Sequence, residues 1–126
     1  MKVFILGIGA MGSLLAKLLV RQGHQVMCGD RDPIRARAFL GTRSTLVIQR
    51  VNARNLRGIV KAAKGYHLLV NTCPAVCNKT ILRAAIQLCI DFQIAARRGI
   101  ENHAVFAPFH AQRAHLRQRG ALCFLQ

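Results

Sequence analysis

The chain has only four acidic residues, three prolines and few aromatic side chains, and each shortage excludes something. Four acids are too few to propose a pair of catalytic carboxylates or a Ser/His/Asp arrangement. Prolines that are few and scattered leave no linker and no boundary, and there is no low-complexity tract or internal repeat, so the 126 residues read as one domain. Without aromatic rings interleaved among the cations, the chain has no recognisable stacking platform for nucleic acid. Long apolar runs are missing as well. Lys2 and the apolar stretch behind it resemble the start of a signal peptide, yet no A-x-A-like site follows and Lys17 and Arg21 interrupt the run. The same two cations exclude a membrane span of about 20 apolar residues. Five cysteines, an odd number, do not make a disulfide framework and suit reduced thiols in a cytoplasmic protein.

What is present is a chain 52% hydrophobic and 18% charged, able to bury a core. Its formal net charge is +15, and fourteen of its nineteen cations are arginine. Such a charge draws phosphates of any kind. The arginines are spread from Arg21 to Arg119 without forming a block, the pattern of a solvated surface rather than a nucleic-acid face.

The most informative stretch is KVFILGIGAMGSLLAKLL. Lys2 to Leu6 is rich in β-branched and aromatic residues, as expected of a strand covered on both faces. From Met11 the period changes: Met11, Leu14, Leu15 and Leu18 follow the helical spacing, Ser13, Lys17 and Arg21 share another face, and Gly23 suits the helix end. Gly7, Gly9 and Gly12 lie at the changeover, where a G-x-G-x-x-G dinucleotide fingerprint belongs. Gly7 permits a tight turn, Gly9 lets a pyrophosphate approach the backbone, and Gly12 lets the helix pack closely on the strand. The helix N-terminus adds unpaired N–H groups and a positive dipole end.

HQVMCGDRD then reads as a second strand ending in Asp30, at the spacing of the acid that holds the adenosine ribose. Asp32 and Pro33 form an N-cap and first turn for a short helix ending near Gly41. Arg31 could stack on adenine or pair with a 2′-phosphate, whereas Asp30 alone favours NAD, so the cofactor is NAD or NADP. The remainder keeps alternating. STLVIQR is a third strand; Leu56, Ile59, Val60 and Ala63 mark a helix; HLLVNTC is a fourth strand. After Pro74 come a helix with Leu82, Ala85, Ile86 and Cys89 on one face, a strand near 90–95, a helical stretch over 108–119, and a last strand ALCFLQ. The expected fold is α/β: a doubly wound parallel sheet of about six strands between helical layers, a Rossmann fold.

KVFILGIGAMGSLLAKLLVRQGHQVMCGDRD, QVNARN and HLLVNTCPAVCNKTILRAAI together resemble the NAD(P)-binding domain of saccharopine dehydrogenase-like proteins. The most specific part is VNTCPAVCN, similar to that family's Asn-x-x-Pro turn after the fourth strand. The resemblance implies that Gly7, Gly9, Ala10, Met11 and Gly12 form the phosphate loop and that Asp30 with Arg31 contacts the ribose. By the same matching Asn52 and Ala53 flank the adenine, and Asn71, Thr72, Cys73 and Pro74 run along the cofactor toward the nicotinamide. It implies hydride transfer at a C–N bond of an amino-acid substrate. Family members have an Asp in the fifth strand where this chain has Ile94, and they continue into a substrate-binding domain. Residues 1–126 are therefore expected to be the N-terminal part of a longer protein, with no catalytic residue assignable within them.

The competing function is a non-enzymatic nucleotide-sensing module, similar to the short Rossmann domains that regulate potassium transport. A homodimer whose partner surface completes the site is left open by the sequence. Cys73 and Cys77 are spaced C-x-x-x-C rather than as a zinc or thioredoxin-like pair, and His103, His110 and His115 do not share a helix face, so no metal is expected.

Overall fold

A computed structural model describes residues 1–95. The strands are β1 (Lys2–Leu6), β2 (Gln25–Asp30), β3 (Ile48–Arg50), β4 (Leu68–Asn71) and β5 (Asp91–Ile94). The helices are α1 (Ala10–Arg21), α2 (Pro33–Leu40), α3 (Leu56–Ala63) and α4 (Asn78–Leu88), with a 3-10 turn at Ala75–Cys77. All strand pairs are parallel, in the order β3-β2-β1-β4-β5. The helical stretch over 108–119 and the sixth strand expected at 121–126 lie outside the described residues.

Side chains on a strand alternate between faces, and β1 uses both. Phe4 and Leu6 pack with Ile59, Ala63, Ile81 and Ala85 under α3 and α4. Val3 and Ile5 pack with Ala16, Ala36 and Leu40 under α1 and α2. The result is three layers with a central strand that contains no polar residue after Lys2.

Two helix faces differ from the periodic reading. In α1 the buried residues are Gly12, Ser13 and Ala16, while Met11, Leu14 and Leu18 are exposed among the described residues. In α4 Ile81, Ala84 and Ala85 are buried, whereas Leu82 and Ile86 are exposed. Each helix carries two overlapping apolar stripes, and close approach to the sheet favours the one with small residues. The third strand is shorter than the run STLVIQR. The carbonyls of Ser44 and Leu46 are taken by Arg37, at 2.8 and 2.9 Å from Nη1 and Nη2, so the guanidinium replaces a ladder there.

The strand order places the site. The chain winds outward from β1 through β2 to β3, then crosses under α3 to β4 on the other side of β1. At that reversal the loops after β1 and β4 diverge to opposite faces and leave a crevice beyond the strand ends. Leu6 pairs with Asn71 in register, so both loops begin at one level.

Candidate functional site

The loop between β1 and α1 has the form that its three glycines require. Gly7 has φ +99°, and a Cβ there would lie 2.8 Å from Cys73 Sγ and 3.0 Å from Cys73 N. A Cβ on Gly12 would collide with the carbonyl oxygen of Gly7 and stand 2.9 Å from Thr72 Oγ1. Gly9 is different: a Cβ there would meet no atom within 4 Å. Two glycines therefore allow close packing, and the third faces open space. Gly9 is also the N-cap of α1, with no side-chain cap and no acidic residue in the first turn. The first N–H groups of a 12-residue helix thus remain for an anion, backed by the helix dipole.

The strand ends are stitched together around this loop. Thr72 Oγ1 donates between the carbonyls of Leu6, at 3.0 Å, and Gly7. Gly7 N donates to Gly29 O at 2.8 Å, which ties the loop to β2. Asp30, 4% exposed, accepts from Ile8 N at Oδ2 (2.6 Å) and from Asp32 N at Oδ1 (2.9 Å). Its carboxylate therefore clamps the glycine loop to the start of α2. Asp32 in turn caps α2 by accepting from Ile34 N and Arg35 N, both at 3.1 Å.

Beyond the strand ends lies a cleft of about 480 Å³, within the usual range of a small-molecule site. Of the residues proposed from sequence, Gly7, Gly9, Asp30, Arg31, Asn52, Ala53, Thr72, Cys73 and Pro74 line it. Ala10, Met11 and Gly12 lie beside it in the first turn of α1. Asn71 is fully buried and serves the turn: its Oδ1 accepts from Cys73 N at 2.9 Å and its Nδ2 donates to Asn78 Oδ1 at 2.7 Å. Asn52 lines the cleft and closes the turn after β3, its Oδ1 accepting from Arg54 N at 2.9 Å.

Arg35, Arg54 and Val76 also line the cleft and were not singled out from sequence. Arg35 follows Arg31 by four residues and Arg54 falls inside QVNARN, the signals that could have found them. Cys73 Sγ donates to Leu6 O at 3.3 Å, and burial, then Cys77 and Asp30, push its thiol up to about 12. It stays protonated at neutral pH and is no nucleophile.

Residues 3–116 match the model of the family described as saccharopine dehydrogenase NADP binding domain. The chain belongs to this family. It is a dinucleotide-binding domain of the Rossmann type, and its similarity to solved structures agrees on the fold. Saccharopine dehydrogenase (L-Glu forming) from Saccharomyces cerevisiae is 16% identical with a TM-score of 0.67, the match covering 78% of this chain and 22% of that one. UDP-glucose 4-epimerase from Thermus thermophilus, solved with NAD, is 15% identical with a TM-score of 0.64, over 96% and 50%. Vestitone reductase from alfalfa is 19% identical with a TM-score of 0.58, over 74% and 35%. The chain thus spans between about a fifth and a half of the length of these structures. No curated protein matches it by sequence.

Proposed function

We propose that this domain holds NAD or NADP for an oxidoreductase acting at a C–N bond of an amino-acid substrate. The observation that carries the reading is the open space over Gly9, between the uncapped N-terminus of α1 and the end of β4, in a chain of the saccharopine dehydrogenase family. The bound nicotinamide would supply hydride transfer. The chain's own residues bind and orient. Gly9 and the first turn of α1 take the pyrophosphate, Asn52 and Ala53 flank the adenine, and Thr72, Cys73 and Pro74 direct the cofactor toward the carboxyl end of β4.

Among the described residues lining the cleft, the titratable groups are arginines, the clamped Asp30 and the thiols of Cys73 and Cys77. Of these thiols the one at Cys73 is held protonated. None is placed to move the proton that accompanies hydride transfer, so further residues must complete the site. A cytoplasmic location fits the free thiols of Cys28, Cys73, Cys77 and Cys89. No helix among the described residues is long and apolar enough to cross a membrane.

The test uses the purified chain with saccharopine or lysine and either cofactor. The expectation is nucleotide binding by calorimetry with no reduced nicotinamide formed by absorbance. Absence of binding by the folded protein would refute the cofactor reading. Steady turnover lost in Gly9→Val would show that these residues already suffice for catalysis.

A further inference from the structure

The outer face of α3 and α4 carries cations with no acid on either helix to answer them. The two helices pack against each other over the side of the sheet that Phe4 and Leu6 face. Toward the sheet α3 buries Ile59, Ala62 and Ala63, and α4 buries Ile81, Ala84 and Ala85. Arg57, Lys61 and Lys64 of the first helix and its end, and Lys79 and Arg83 of the second, are exposed. No Asp or Glu occurs anywhere from Pro33 to Ile90, so neither helix nor the strand between them supplies a counter-charge. The placement works against the helices themselves. Arg57 and Lys79 stand second in α3 and α4, where the positive end of the helix dipole favours a carboxylate, and Arg57 with Lys61 and Lys79 with Arg83 are like-charge pairs four residues apart. Charge held at a cost to local stability marks a surface that is neutralised from outside the fold. Apolar side chains lie on the same exposed side of α4: Ile86, three residues after Arg83, is 63% exposed, and Leu82, three after Lys79, is 39% exposed.

We propose that the face formed by α3 and α4 docks this protein onto the surface of an anionic lipid bilayer. The negative potential of a leaflet rich in acidic headgroups attracts clustered cations. Ile86, Leu82 and the aliphatic stems of the lysines then reach the boundary between headgroups and acyl chains, with the charged tips left among the phosphates. A nucleic-acid backbone would answer the charge but give Ile86 and Leu82 nothing to cover them, and neither helix carries an aromatic side chain to stack on a base. A second copy of the chain, with the same net charge of +15, would be repelled. None of the cations of this face lines the cleft, so the docking stands apart from the cofactor reading.

Vesicle sedimentation with the full chain compares phosphatidylcholine alone with an equimolar mixture of phosphatidylcholine and phosphatidylserine. The acidic vesicles should be bound at least tenfold more tightly, and the difference should shrink as salt rises. Arg57→Glu combined with Lys79→Glu should lower that affinity at least tenfold while leaving the melting temperature at or above that of the wild type, because both carboxylates suit a helix N-terminus. Lys17→Glu combined with Arg21→Glu makes the same change of net charge on α1, across the sheet, and should lower it less than threefold. Ile86→Ser, which alters no charge, should lower it at least twofold. Circular dichroism verifies that each variant is folded. Equal weakening by the two charge-reversed pairs would overturn the face in favour of diffuse attraction by net charge. Equal affinity for the two kinds of vesicle, or an Ile86→Ser variant that binds like the wild type, would overturn the docking as well. Binding of a duplex oligonucleotide that is lost in the Arg57→Glu and Lys79→Glu pair, without preference for the acidic vesicles, would overturn it in favour of a nucleic-acid backbone.

Discussion

Replacing Gly9 and Gly12 separately should split binding from stability. Gly9 sits at φ −99° and ψ −156°, extended backbone that a residue with a side chain adopts without strain. Its Cβ would meet no protein atom within 4 Å, so Gly9→Val adds no clash to the folded chain. The cost to folding is the weaker N-cap, at most about 1 kcal/mol. The same side chain would enter the open space that the proposed function assigns to the pyrophosphate, and on that reading binding should weaken at least tenfold, about 1.4 kcal/mol. Gly12→Ala reverses the outcome. Its Cβ would strike the backbone carbonyl of Gly7, which is pinned by Thr72 and has no rotamer to yield. Overpacking of this kind costs about 1–3 kcal/mol, and the loop that must shift is the one that binds. Thermal melts and calorimetry with NADP on both variants give the comparison. Equal affinity of Gly9→Val and wild type, or an unchanged melting temperature for Gly12→Ala, would refute the reasoning.

Other consequences follow from the same contacts. Asp30→Ala leaves the N–H groups of Ile8 and Asp32 without their acceptor, at about 1–3 kcal/mol each where buried, so the variant should melt earlier and lose NAD and NADP alike. A change of cofactor preference with unaltered stability would contradict the clamp. Arg37→Ala removes two charged hydrogen bonds to the carbonyls of Ser44 and Leu46 and should cost about 2 kcal/mol, with faster hydrogen exchange near β3. Burial pushes the Cys28 thiol to about 11 and the Cys73 thiol to about 12, from 9.0. Both folded values lie above the unfolded one, so above pH 9 the folded chain keeps protons that the unfolded chain releases. Denaturation midpoints should therefore fall as pH rises from about 9 toward 11–12. Cys28→Ala should flatten that slope, and an equal slope in the variant would count against the shift.

The local features were legible in the sequence because their causes are local. The change from strand to helix at Gly7–Gly12, the Asp32 and Pro33 start of α2, its end at Gly41 and the break at Pro74 each depend on a few neighbouring residues. The spacing could be read without tertiary contacts because the positive φ of Gly7 and the close approach of Gly12 to the Gly7 carbonyl are demands of the turn itself, whereas the space over Gly9 and the contacts with Thr72 and Cys73 belong to the folded chain. Contacts between distant segments decided the rest. Met11, Leu14 and Leu18 have helical periodicity as good as that of Ser13 and Ala16, and only the approach of α1 to the sheet turned the small side inward. Asp30 stood at the right spacing for a ribose, yet whether its oxygens face a ligand or the backbone depends on Ile8, 22 residues away, which folds back over it. Arg31, Arg35 and Arg54 are three among fourteen arginines in the sequence, and it is the winding of β2 and β3 against β1 that collects them at one cleft.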